Sequence, residues 1–217
     1  MNRVERSLLQ GISEALLERE VSFSQEVPGQ FVIRDAVEIR FAFAVTVAKK
    51  PSTHAGAHVL LFWDAAEAWI AALRACPSPH PLATLIFPVQ NAQGMLEITL
   101  PNGGGPYPEE PDFYGWGCKI VEDALAVLKA AKHLLDSPQK ILDFFNKNPD
   151  GFGAYAIRVD YVVSALLYLN GLVAELRVYL EKRVKAIESL GFDEDDEPFL
   201  KFARDVEVYL GKREGLH

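Results

Sequence analysis

The sequence predicts an α+β protein, with an antiparallel sheet of five or six strands and packed helices, followed by an all-helical C-terminal part built on one long helix. Residues 37–48, VEIRFAFAVTVA, alternate large apolar with small or polar side chains, as a half-buried antiparallel strand does. Residues 101–117 contain five glycines and four prolines, which interrupt regular structure. Beyond them, apolar residues recur only at the helical steps of three and four, most regularly in residues 154–190.

The first 100 residues predict the strands of the sheet and two of its helices. An amphipathic helix is expected over residues 2–19, and a second, opened by a capping box at Asp64 and Glu67, runs to about residue 75. A turn at Pro28-Gly29 joins the first two strands. We expect a hairpin turn at residues 91–94 between the last two strands. The expected strands are residues 21–27, 31–34, 37–48, 57–62, 83–89 and 95–100.

The C-terminal half predicts helices over residues 119–135, a short one opened by Ser137-Pro138, residues 154–190, and a last one ending near residue 210. Gly171 in residues 154–190 costs a helix about 1 kcal/mol relative to Ala. The apolar stripe passes Asn170-Gly171 without a change of phase, so we predict one continuous helix, bent there.

Two parts follow from this pattern: an α+β part, residues 1–117, and a helical part, residues 118–217. The middle of the long helix, from Tyr161 to Ala174, carries no charge and needs covering on all sides. We therefore expect the two parts to share one core. Its second half, from Glu175 to Glu188, is amphipathic and is where an interface is expected.

The composition is that of a soluble globular protein, with 49% hydrophobic and 24% charged residues in a chain of 217. A net charge of −8 argues against a nucleic-acid partner, because phosphate binding needs a Lys/Arg surface. Neither a secretion signal nor a membrane-spanning segment is predicted, so no membrane partner is expected. Cys76 and Cys118 form no spaced motif, which favours reduced thiols and a cytoplasmic location.

Several short patterns resemble sites, but each lacks a part of its chemistry, so we predict no catalytic residue, metal or cofactor. His54 and His58 have metal-ligand spacing for a helix, but they fall in a predicted loop. Cys76 and His80 lack a third group to orient a thiol–imidazole pair, and a small buried hydrophobe is the expected role of the cysteines. Residues 146–151 match the first half of a calcium loop and then depart from it.

Aromatic side chains in residues 101–117 are the predicted binding residues for a ligand or partner, since long loops with aromatics are often binding elements. The alternative is that they cover the edge of the sheet or the end of the core. These residues are Tyr107, Phe113, Tyr114 and Trp116.

The order of predicted elements in residues 2–135 resembles the type III secretion chaperone-like fold. The stretches that carry it are SLLQGISEALLE, VEIRFAFAVTVA, DAAEAWIAALRA, ATLIFPVQ with MLEITLP, and KIVEDALAVLKAAKHLL. The resemblance implies a bacterial, non-enzymatic protein that often dimerises and holds an extended segment of a partner. It does not cover the helices beyond residue 135.

These observations predict a non-catalytic protein-binding protein of chaperone-like, adaptor or immunity type, whose partner is another protein or a second copy. The alternatives are a hydrolase-type enzyme, or a small-ligand binder that uses the loop of residues 101–117.

Overall fold

The computed structural model describes residues 1–33, 39–49, 52–74, 85–147, 156–190 and 197–215. Over these residues the chain has a six-stranded antiparallel sheet and eight helices, which confirms the predicted α+β class. It forms two compact units. The sheet unit comprises Met1–Trp63 and Ala83–Asp136, and the helical unit comprises Asp64–Leu82 and Ser137–His217. The predicted division at residue 117 and the predicted common core stay predictions.

The strands of the sheet unit are β1 (Ser24–Val27), β2 (Gln30–Ile33), β3 (Ile39–Ala48), β4 (His54–Trp63), β5 (Leu85–Pro88) and β6 (Tyr107–Pro108). Their order is β1-β2-β3-β4-β5, with β6 also paired to β4. Since β3 pairs with the whole of β4, both β5 and β6 pair along its other edge. The predicted turn between β1 and β2 is confirmed, and Gly29 there has a φ of 84°.

The alternation in β3 is confirmed, but its middle is buried on both faces. On one face, Phe43 stacks on Phe31 of β2 with ring centroids 4.9 Å apart. On the other, Ala42 packs with Val32 and Phe62 in a second buried cluster. The small residues predicted for this face are what allow other side chains to cover it. Towards its end at Ala48 the strand becomes exposed.

The helices of the sheet unit are α1 (Arg3–Glu18), α3 (Val89–Leu96) and α4 (Phe113–Leu134). A capping box opens α1: the Asn2 side chain accepts from the Glu5 amide and the Glu5 carboxylate from the Asn2 amide, both at 2.8 Å. Two glycines let α1 and α4 meet backbone to backbone. A Cβ on Gly11 would lie 2.4 Å from the Phe113 carbonyl oxygen, and one on Gly117 would lie 2.7 Å from the Gly11 carbonyl carbon.

The predicted hairpin over residues 83–100 is wrong. β5 ends at Pro88 and α3 follows at once, while residues 97–100 form no strand. Ala92 and Leu96 lie three and seven residues after Val89, and all three side chains are buried. The segment therefore carries the apolar stripe of a helix. Glu97, with a φ of 53°, ends the helix in a left-handed conformation.

The helical unit contains α2 (Asp64–Arg74), α5 (Pro138–Lys147), α6 (Ala156–Leu169), α7 (Val173–Leu190) and α8 (Glu197–Glu214). The Ser137 hydroxyl accepts from the Lys140 amide at 3.3 Å, which confirms the predicted start of α5. Trp69 of α2 lies in an aromatic cluster, stacked on Tyr168 at 4.8 Å and edge-on to Phe202 at 5.9 Å. The four residues predicted to face inwards from the last helix are all buried: Phe199, Phe202, Val206 and Leu210.

The predicted continuous helix over residues 154–190 is wrong, because α6 ends at Leu169 and α7 begins at Val173. Gly171 has a φ of 73°, in the left-handed region. Its amide donates to the Tyr168 carbonyl at 2.9 Å, and the Leu172 amide donates to the Leu167 carbonyl at 2.9 Å. These two bonds form a Schellman motif, which satisfies the last carbonyls of α6 and stops the helix.

Substitution by alanine is expected to have opposite effects on stability at Gly171, which lies in this turn, and at Gly211, which lies inside α8. Gly171→Ala places a Cβ at a positive φ and is expected to lower the free energy of unfolding by about 1–2 kcal/mol. Gly211→Ala, inside α8 with no heavy atom near the new Cβ, is expected to raise it by up to about 1 kcal/mol. Urea denaturation followed by circular dichroism measures both. Stabilisation by both substitutions would favour a continuous helix.

Candidate functional site

The four predicted binding aromatics lie together in the sheet unit, at β6 and the start of α4. Tyr107 and Trp116 are buried, whereas Phe113 and Tyr114 are partly exposed. The Trp116 indole N–H donates to the Tyr107 carbonyl at 3.3 Å, and the Tyr114 hydroxyl donates to the Glu18 carboxylate. The buried pair therefore faces the core, and the exposed pair is the part that a partner would meet. The binding role of all four stays a prediction.

A buried carboxylate, Asp123 of α4, holds the glycine-rich loop and was not singled out from the sequence. Its side chain accepts from the amides of Asn102 and Gly104, both at 2.8 Å, and from the Tyr107 hydroxyl at 2.9 Å. Burial, with the bond to this carboxylate, raises the pKa of Tyr107 above its usual range. The loop is thus fixed by one anion through two backbone amides and a phenol.

The sequence did contain a signal for Asp123. It lies three residues after Ile120 and four before Val127, so it occupies the apolar stripe of α4. A carboxylate in such a stripe must find donors inside the protein. The Gly-rich loop just before the helix supplies them.

The prediction that the two histidines lie in a loop is wrong, because both lie on β4. His54 and His58 are partly buried and share one face of the strand with Gly56 between them. At about 3.4 Å per residue, their Cα atoms lie roughly 14 Å apart, too far for both rings to ligate one ion. Among the described residues, no group of three or more His, Cys, Asp or Glu side chains is arranged to hold a metal.

The remaining sequence candidates divide between described and undescribed residues. Cys76 and His80, and residues 148–151 of the calcium-like pattern, lie outside the described residues. Cys118 is a free thiol that is only partly buried, not the buried hydrophobe predicted, and a guanidinium nitrogen of Arg19 lies 3.8 Å from its sulfur. None of the described helices is long and apolar enough to cross a membrane.

Two apolar grooves flank α7 in the helical unit. The α7–α8 groove, of about 710 Å³, has an apolar floor that includes Leu180, Val184 and Ala203. The α5–α7 groove, of about 610 Å³, lies on another side of α7 and is lined by side chains such as Phe145, Val163 and Val178. Val208 of the first groove and Val178 of the second are 56% and 50% exposed.

Charged residues border the α7–α8 groove. On α7, the residues Arg177, Glu181, Lys185 and Glu188 alternate in sign at steps of four, four and three, so they run along one side of the helix. On α8 the groove is bordered by Arg204 and Glu207. The Arg177 guanidinium lies 3.4 Å from the Glu207 carboxylate, an ion pair between the two helices.

A buried carboxylate fixes α7 against α6. Asp160 is 6% exposed, and one of its oxygens accepts from Arg183 at 2.7 Å while the other accepts from the Tyr179 hydroxyl. Burial and the negative charge of Asp160 raise the pKa of Tyr179 above its usual range. The α7 wall that both grooves share is thereby held by charge-assisted contacts to one buried carboxylate.

Comparison of the chain with protein families, with curated proteins and with solved structures finds no significant match.

The Asp123 network predicts a loss of stability on removing its charge. Asp123→Asn leaves one acceptor oxygen for three donors and is expected to cost about 2–3 kcal/mol. Tyr107→Phe removes one of the three bonds and is expected to cost about 1–2 kcal/mol. Chemical denaturation measures both. The control is Glu122→Gln, one residue earlier in α4 and partly exposed, which is expected to cost less than about 1 kcal/mol. An equal loss at Glu122 would contradict a special role for Asp123.

The burial of His58 predicts a pH dependence. Burial lowers the pKa of this imidazole below its usual value, so the unfolded chain binds more protons between the folded pKa and about 6.5. The stability contributed by neutral His58 is present above about pH 6.5 and is lost as the pH falls towards the folded pKa. Histidine C–H chemical shifts followed by NMR measure the titration. In His58→Gln the part of the pH dependence of stability that comes from His58 should disappear. Titration of the wild-type His58 ring above pH 6.5 would contradict the expectation.

Proposed function

We propose that the protein is a non-catalytic protein-binding protein of adaptor or chaperone-like type, which holds an amphipathic helix of a partner in the α7–α8 groove. The observation that carries this proposal is the groove itself, with about 710 Å³ of space above an apolar floor and charged residues along its border. Recognition of an amphipathic helix in an apolar groove is a common mode of peptide binding.

The dimensions of the groove fit a short helix. Its α7 wall extends from Arg177 to Glu188, about 17 Å at 1.5 Å per residue. Its α8 wall extends from Leu200 to Val208, about 12 Å. Two to three turns of a partner helix would lie along these walls. The partner's apolar face would then cover the exposed Val208 and the partly buried Val184.

The border charges define the chemistry of the partner. Along α7 the signs run plus, minus, plus, minus from Arg177 to Glu188. A partner helix with the opposite order on its flank places unlike charges opposite one another at each step. Such pairs at a solvent-exposed rim add little affinity, but they orient the partner and reject a helix of the wrong order. We therefore assign the partner as an amphipathic helix with alternating flank charges.

The α7–α8 groove is preferred to the α5–α7 groove because of these charges. Six charged residues border the first groove, whereas the charged residues that line the second are Glu175 and Lys182. Both grooves have apolar walls, so apolar burial alone does not distinguish them. The second groove serves as an internal control.

The type III secretion chaperone-like resemblance, an expectation from the order of elements, points to a partner held by the α+β part. The groove supports a partner held by the helical unit, which that resemblance does not cover. The two share only the broader proposal of a non-enzymatic binder, and binding of a helical peptide to the α7–α8 groove tests the helical unit alone.

Two synthetic helical peptides of about 15 residues test the proposal. Both carry leucines at i, i+4, i+7 and i+11 and so share one apolar stripe. One has flank charges complementary to the order on α7, and the other has the same charges in reversed order. Fluorescence anisotropy is expected to show saturable binding of the complementary peptide, at least about tenfold tighter than the reversed one.

Matched valine variants locate the site. Val208→Arg places a charge at the groove and is expected to weaken binding at least about tenfold, whereas Val178→Arg, in the α5–α7 groove, should leave it unchanged. Failure of both peptides to bind, or equal effects of the two variants, would overturn the assignment. The other possible occupant of the groove is a second copy of the chain, and sedimentation of the wild type and of Val208→Arg tests it. If the wild type is a dimer and the variant is not, the groove holds a second copy and not a separate partner.

A further inference from the structure

A small cavity of about 190 Å³ lies in the sheet unit, where the edge of the sheet is interrupted. β4 pairs with β5 through residues 58–61 and with β6 through residues 54–55. Gly56 and Ala57 lie between these two ladders, and both line the cavity. Pro88 ends β5 at this point, and a proline has no amide to extend the ladder.

The interruption supplies backbone hydrogen-bonding groups to the cavity. In an antiparallel sheet, successive residues of a strand direct their N–H and C=O groups to opposite neighbours. One residue of the pair Gly56 and Ala57 therefore directs a donor and an acceptor towards the gap between β5 and β6. Buried backbone groups are normally paired, so a ligand or water that pairs with these is favoured.

The side chains around the gap leave space between two imidazoles. His54 and His58 line the cavity from the same face of β4, and Gly56 between them has no side chain. A Cβ on Gly56 would meet only the Thr46 hydroxyl, at 3.4 Å, so the glycine is not required by close packing. Its effect is to keep the cavity open.

The side chains that supply polar groups to the cavity are two imidazoles, a hydroxyl and an amide. The His54 Nδ1 lies 3.0 Å from the Ser52 carbonyl oxygen, which only accepts, so Nδ1 carries the hydrogen and Nε2 is an acceptor in the neutral ring. Thr46 contributes a hydroxyl and Gln90 an amide, each able to donate and to accept. None of the described residues that line the cavity is acidic, lysine or arginine.

From this geometry we infer that the cavity binds a small, uncharged polyhydroxy compound, of the size class between glycerol and a pentose. Its volume is that of about six water molecules. Hydroxyl groups both donate and accept, which matches a lining that contains imidazole and carbonyl acceptors together with amide and hydroxyl donors. The lining offers an anion no lysine or arginine, and it offers a cation no carboxylate. The inference is independent of the proposed helix groove, because the two sites share no residue.

The test is an NMR titration of the full chain with glycerol, erythritol and D-ribose, with inorganic phosphate and acetate as charged controls. We expect saturable shifts of the Gly56 amide and of the His54 and His58 ring signals with at least one of the three neutral compounds. The charged controls should leave these signals unmoved. Absence of saturable shifts with all three neutral compounds would overturn the inference, as would phosphate binding at equal affinity.

Two variants confine the effect to the cavity. Gly56→Val fills the space between the imidazoles with a residue that strands favour, and should weaken binding at least about tenfold. Gly94→Ala, an exposed glycine of α3 whose new Cβ meets no heavy atom, is the control and should leave binding unchanged. His54→Leu removes an acceptor from a partly exposed position and provides the same test if Gly56→Val does not fold. Undiminished binding in folded Gly56→Val, or in His54→Leu, would also overturn the inference.

Discussion

The helical unit depends on the left-handed turn at Gly171. Without it, α6 and α7 would form one rod of about 50 Å, with no reversal to bring α7 back along its neighbours. Because Gly171 adopts a φ of 73° and the amides of Gly171 and Leu172 satisfy the last carbonyls of α6, α7 begins afresh at Val173. It then contacts both α6 and α8. The two grooves beside α7 exist because of this reversal.

In the sheet unit a comparable role belongs to Asp123. Its carboxylate holds the amides of Asn102 and Gly104 and the hydroxyl of Tyr107, which fixes the loop that precedes β6. Tyr107 and Pro108 then pair with the first residues of β4 instead of extending β5. The gap between β5 and β6, and the cavity within it, are consequences of where this loop is held. A single buried anion thus shapes a site that it does not line.

Elements with a strong local pattern could be predicted from the sequence. The alternation of β3, the stripe of α8 and the Ser137-Pro138 start of α5 all depend on side chains within a few residues, and all are confirmed. The errors arose where two local patterns conflicted. At residues 89–96 the turn-like residues Asn91 and Gly94 outweighed the buried stripe of Val89, Ala92 and Leu96. At Gly171 an unbroken stripe concealed the end of a helix, because the steps of three and four on either side of the turn remain in phase.

The candidate sites were harder to predict, because each is formed by residues distant in sequence. The aromatics of residues 101–117 were visible locally, but the burial of Tyr107 and Trp116 depends on Asp123 and on β4. The cavity joins β3, β4, β5, α3 and the loop before β6, and no short motif joins His54 to Gln90 or Pro106.

The two sites differ in the physical terms that would drive binding. A partner helix in the α7–α8 groove must offset the loss of translational and side-chain freedom mainly by burying apolar area, which the floor of the groove provides. The flank charges contribute mainly to orientation. The cavity beside β4 offers little apolar area, and a ligand there gains hydrogen bonds only in exchange for those of water. Affinity at the cavity is therefore expected to be weak and selective for shape and donor pattern, whereas affinity at the groove should rise with the length of the apolar stripe presented to it.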